Sequence, residues 1–218
     1  MNLIKRHIST ILLILLTLVT AQSRTDADSE IVESLTFLIP KDITKEVDYG
    51  YREARRSAAD IDVIVIHSCY YAQADSFSTE GCISQFRQHN VSPHYIISRS
   101  GEIIKMVEEH NIAQHAGRSM LPGVGRTHLN DSSIGIEIVN TRTEGPNYIQ
   151  YNALSRLVKD ICMRNRIRYI VGHSDIAPTR KDDPWCFDWQ RFANHIHQSM
   201  AYIEFPAVNE NLMAHNAN

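Results

Sequence analysis

The 218-residue sequence has no excess of basic charge, no internal repeat and no low-complexity tract. Beyond its first two dozen residues it also has no apolar run long enough to cross a membrane. Its 22 Lys and Arg residues face 25 Asp and Glu, a formal net charge of −3. That balance argues against nucleic acid or an anionic membrane surface as the main partner. Cysteine is sparse, at positions 69, 82, 162 and 186. The compact zinc signature His-Glu-x-x-His is missing, so a metal site has to be gathered from distant parts of the chain. The length suits one domain with its own core and is too short for two large ones.

What is present starts with Lys5 and Arg6, an apolar run from Ile11 to Val19, and the small-residue pattern Val19-Thr20-Ala21. This run is well short of the ~20 residues of a spanning helix, and the pattern predicts a secretory signal over 1–21. The expected product is an exported protein, periplasmic or extracellular, with no membrane span in the mature chain. Removing Lys5 and Arg6 leaves 20 basic residues against 25 acidic ones, a net charge of −5. Export brings the four cysteines into an oxidising compartment, where three fully paired connectivities are open. Cys69 and Cys82 bracket one loop and form the more natural pair, while Cys162 lies on the apolar stripe of a predicted helix and reads as a small buried hydrophobe.

Residues 22–50 are polar apart from the patch IVESLTFLIP and read as an N-terminal extension; 206–218 read as a tail. Between them, 51–205 carries the domain. IDVIVIHS, 61–68, is a β-branched run suited to a strand buried on both faces, with His67 at its end. GCISQFRQHN predicts a short helix, and HYIISRSGEIIKMVEE a hairpin turning at Arg99-Ser100-Gly101. SIGIEIVN, 133–140, alternates strictly, with Ile134, Ile136 and Ile138 facing the core and Gly135 and Glu137 facing the other way. Leu154, Leu157, Val158 and Ile161 mark an amphipathic helix, RYIVGH a strand ending at His173, and about 188–202 a last helix burying Trp189, Phe192, Ile196 and Met200. Strands alternating with helices predict a single α/β domain with a central mixed β-sheet flanked by helices.

Two histidines, His67 and His173, each end a short apolar strand, and neighbouring strand ends in one sheet bring such side chains together. A catalytic zinc takes three ligands from His, Asp, Glu or Cys and leaves one position open. Five motifs follow in order: IVIHS, HYIISRSGEI, HAG, NDSSIGIEIVN and GHSDIAPTRKDDPW. Together they closely resemble the zinc-dependent N-acetylmuramoyl-L-alanine amidases, a family that also holds phage amidase-lysozymes and peptidoglycan recognition proteins.

The resemblance implies Zn2+ as cofactor, with His67, His173 and Asp183 as ligands; Cys186, three residues past Asp183, is a rival ligand that the family position, before the proline, disfavours. It implies Glu137 as the glutamate beside the attacking water and Lys181 as the lysine that supports the transition state. His115, Arg126 and Arg180 match positions lining the substrate groove. In the recognition-protein branch a disulfide staples the loop that Cys69 and Cys82 bracket here. The expected activity is hydrolysis of the bond between N-acetylmuramic acid and L-alanine in peptidoglycan or muropeptides, by a monomer. The alternatives are a non-catalytic peptidoglycan-binding module and a zinc peptidase cutting within the stem peptide. The absence of crowding at Gly135 leaves, on this reading, space for substrate.

Overall fold

The computed structural model describes residues 42–206; the predicted signal, most of the extension and nearly all of the tail lie outside them. Eight strands run in chain order: β1 (Ile43–Thr44), β2 (Tyr51–Arg52), β3 (Val63–Cys69), β4 (Tyr95–Ile97), β5 (Ile103–Lys105), β6 (Ile112–Ala113), β7 (Ser133–Val139) and β8 (Tyr169–Gly172). Six of them make one sheet in the order β1-β5-β4-β7-β3-β8, and β2 pairs with β6 apart from it. Every pairing in the large sheet is parallel except β4 with β5, the hairpin expected from the sequence. Gly101 closes its turn at φ 84°, a conformation that side chains disfavour. The sheet is therefore mixed, as expected.

Helices α1 (Thr79–His89), α2 (Tyr148–Arg164), α3 (His173–Ile176) and α4 (Trp189–His197) complete the domain. Their starts follow from local chemistry. Ser78 accepts from Gly81 N–H, Asn147 and Gln150 form a reciprocal capping box, and Asp188 accepts from Arg191 N–H. The isoleucine face of β7, with Ile64 and Ile66 of β3, packs on Leu154, Leu157, Val158 and Ile161 of α2 and on Phe192 and Ile196 of α4. Each such side chain contributes roughly 1.5–3 kcal/mol by leaving water.

Two boundaries differ from the sequence reading. The sheet takes in residues assigned to the extension: β1 pairs with β5, and Val47 and Tyr49 are buried. The last helix stops at His197, because the chain then turns so that Ile203 and Phe205 reach the core and Glu204 bridges to Tyr169 beside β8. Among the described residues no helix is long and apolar enough to cross a membrane.

Candidate metal centre and active site

Register assembles the site. His67 on β3 stands opposite Glu137 on β7, and Ile66 stands opposite Gly172, so that His173 begins where β8 ends. All three lie at the carboxyl edge of neighbouring parallel strands, where open α/β sheets place their ligands. The loop after α3 returns to deliver Asp183: Ser174 N–H donates to the Asp183 carbonyl at 2.7 Å, and the Asp175 carboxylate caps Gly172 N–H at 2.6 Å.

Nδ1 of His67, Nδ1 of His173 and Oδ2 of Asp183 converge, with separations of 2.9, 3.3 and 3.5 Å. All three residues are buried. Where the protons sit can be derived from the outer bonds. Ser133 donates its hydroxyl hydrogen to the Leu129 carbonyl at 2.6 Å, so its oxygen accepts from Nε2–H of His115 at 3.1 Å. Nδ1 of His115 is then a lone pair that accepts from Nε2–H of His67 at 2.9 Å. Nε2–H of His173 donates to the Ala116 carbonyl at 3.2 Å. In the neutral tautomers that these bonds select, each Nδ1 presents a lone pair toward the Asp183 carboxylate, and a proton taken up at either Nδ1 is donated to that carboxylate.

Burial favours the neutral forms of His67 and His115. It lowers the pKa of His67 to about 4, with the neighbouring His173 adding to the effect, and it holds His115 well below the usual histidine range. Burial pushes the Asp183 carboxyl up, but hydrogen bonds and charge from His173 and His67 outweigh it and hold the group well below the usual carboxylate range. A cation placed among these three atoms would be held by all of them. Tetrahedral zinc with bonds near 2.0–2.2 Å sets its ligand atoms roughly 3.3 Å apart, so the donor set fits it in type and spacing. The outer bonds to His115 and Ala116 are the kind that fix ligand tautomers.

His173 and Asp183 of the trio line an open groove of about 760 Å³. Glu137 lines it, and one of its carboxylate oxygens is buried without a hydrogen-bond partner. Burial, then the charge of Asp183, pushes its pKa well above the usual carboxylate range. Lys181 and Arg180 also line the groove, and the charge of Lys181 is felt at both His67 and Glu137. Arg180 donates to the carbonyls of Ala116 and Arg118 at 2.8 and 3.0 Å. Gly117, at φ 59°, leaves room for it, since a Cβ there would come within 3.2 Å of the guanidinium.

Other expectations change. Arg126 does not line the groove; it makes a two-pronged pair with Asp62 at 2.8 and 2.9 Å, which ties the loop to the start of β3. His115 lines the groove, but its ring is bonded to His67 and Ser133, and it fills the space left by Gly135, where a Cβ would lie 2.4 Å from the ring. That space serves the histidine rather than a substrate. Cys186 is exposed and points its thiol at the Arg142 carbonyl, away from the trio. Cys69 and Cys82 are free buried thiols, and Cys82 and Glu137 both lie close enough to Cys69 to help raise its pKa, mainly set by burial.

The sequence reading missed Ser133, which ends the hydrogen-bond chain, and Asn130, whose side chain accepts from the backbone N–H groups of His115 and Ala116 at 3.2 and 2.8 Å. The only signal was their place in the NDSS motif.

A family model for N-acetylmuramoyl-L-alanine amidases, Amidase_2, matches residues 57–186, more than half of the chain. The chain belongs to that family. Among its amidase relatives, N-acetylmuramoyl-L-alanine amidase AmiD of Escherichia coli (strain K12) is 37% identical over 161 residues, covering 65% of this chain and 55% of AmiD. The chain spans little more than half the length of the curated amidases it matches. The crystal structure of a selenomethionine derivative of AmpD shares the fold with a TM-score of 0.60 at 28% identity, over 72% of this chain and 94% of that one. E. coli AmiD in complex with anhydro-N-acetylmuramic acid-L-Ala-D-γ-Glu-L-Lys matches with a TM-score of 0.55 at 34% identity, over 66% and 60%.

Proposed function

We propose that the protein is an exported, zinc-dependent N-acetylmuramoyl-L-alanine amidase, acting as a monomer on peptidoglycan or its fragments. The observation that carries this reading is the convergence of two histidine nitrogens and a carboxylate oxygen in the groove that also holds the partnerless oxygen of Glu137. Family membership supports the bond cleaved, and the muropeptide held by AmiD supports the substrate class.

Zinc bound there supplies a Lewis acid that polarises an amide carbonyl and makes water acidic near neutral pH. His67, His173 and Asp183 hold it through two neutral rings and one negative charge. Glu137, whose burial strengthens its hold on a proton, takes one from the attacking water and returns it to the nitrogen of L-alanine as the C–N bond breaks. Lys181 directs positive charge toward the oxygen on which negative charge develops. Arg180, with no carboxylate partner among the described residues, suits a stem-peptide carboxylate.

Export is supported by the 1–21 pattern, and in an oxidising compartment the neighbouring thiols of Cys69 and Cys82 pair. Mass spectrometry of purified muropeptides incubated with the protein, with and without chelator, tests the function. The expected product is a free peptide beginning at L-alanine, lost with chelator. No product, or cuts inside a peptide still attached to the sugar, would overturn the reading.

A further inference from the structure

We propose that Tyr70 and Trp185 form a wall that takes the apolar face of the muramoyl sugar ring, with the Asp182–Arg142 pair meeting the ring's polar substituents. This rests on the amidase reading above. Trp185 lies two residues beyond Asp183, and its backbone is tied at both ends. Its N–H donates to Ser68 Oγ at 3.1 Å, next to the ligand His67, and its carbonyl accepts from the Asn140 side chain at 3.1 Å. The indole is tied as well: Nε1–H donates to Asp182 at 3.0 Å, the Arg142 guanidinium stacks 4.6 Å from the ring centroid, and Tyr70 meets it at 5.6 Å in an edge-to-face arrangement. Arg142 is in turn ion-paired to Asp182.

Neither aromatic ring belongs to any apolar core cluster of the described residues, yet both line the groove. A rigid, half-buried indole with its polar hydrogen satisfied offers area without the entropy loss of ordering a mobile side chain. The charged residues that line the groove also differ in how they are paired. Arg142 and Asp182 neutralise each other at the aromatic wall, whereas Arg180 and Lys181 make no ion pair among the described residues. The substrate divides in the same way. A sugar ring is uncharged and presents a face of C–H groups, while a γ-linked glutamate leaves a free carboxylate on the peptide. An aromatic surface with a few placed polar groups suits the former, and open cations suit the latter.

Turnover is compared on two substrates with the same scissile bond: N-acetylmuramoyl-L-Ala-D-γ-Glu-L-Lys, and a D-lactoyl analogue lacking the sugar ring. Trp185→Ala is expected to lower the muramoyl-to-lactoyl ratio of kcat/KM about tenfold, mainly through KM. Tyr70→Ala should lower it less, and Trp185→Phe should restore most of it. Calorimetric binding of N-acetylmuramic acid should weaken in the same order. Equal losses on both substrates, or sugar binding unchanged in Trp185→Ala, would overturn the wall. If the wild-type protein cut neither substrate, the amidase reading would fall, and the sugar-binding comparison would still decide the wall.

Discussion

On β7, Ile134, Ile136 and Ile138 pack among the helix residues, while at the alternate positions Ser133 and Gly135 serve His115 and Glu137 lines the groove on the opposite face. Both faces are buried, but they are held differently. The isoleucine side relies on non-directional burial, so a change there is met by local repacking and a loss of stability. The histidine side relies on a chain of hydrogen bonds running one way, from His67 through His115 and Ser133 to the Leu129 carbonyl. Breaking one link there changes which nitrogen carries a proton, and so changes chemistry before it changes the fold. Period-two alternation is what lets one strand do both.

The largest expected effect falls on the histidine side. A His173→Ala/Asp183→Ala variant should drop from about one zinc per chain to none by metal analysis, with amidase activity at background. Unchanged zinc content would place the metal elsewhere. Glu137→Gln should keep zinc and lose ~10²–10⁴-fold in kcat. It should also separate function from stability in metal-free protein. Because burial raises the folded-state pKa of Glu137, its favourable contribution is present at low pH and lost as pH rises through that value. The gain in Tm of Glu137→Gln over the wild type should therefore grow from pH 4 to pH 8, and a gain that shrinks over that range would refute the assigned shift.

Ile136→Ala probes the other face. It should cost about 2–5 kcal/mol in denaturant unfolding while the folded protein still binds one zinc. A loss of zinc affinity with stability intact would erase the contrast between the faces. Ser133→Ala is the smallest and sharpest change: it releases His115 to turn its other nitrogen toward His67, and zinc affinity by chelator competition should fall 10- to 100-fold with little change in unfolding.

The apolar half of this contrast was legible in the sequence. β-branched runs announced β3 and β7, and the 154, 157, 158, 161 spacing announced α2, because burial of apolar side chains leaves a period. The ligands His67, His173 and Asp183 were reached through motif resemblance, not through spacing, since they lie far apart in the chain. Hydrogen-bond direction leaves no period, so the role of Ser133 and the reason for Gly135 were invisible. Arg126 misled for a related reason: a lone arginine gives no sign of a partner 64 positions away, and Asp62 is that partner. β1 was too short, at two residues, to stand out from its polar surroundings.

The central claim is that His67, His173 and Asp183 together hold one metal ion. Calorimetric titration of metal-stripped protein with zinc, run beside the same titration of a His67→Ala variant, gives the number of ions bound and their affinity. The account predicts one zinc per chain for the wild type and loss of high-affinity binding in His67→Ala; one zinc bound by that variant at full affinity would contradict it.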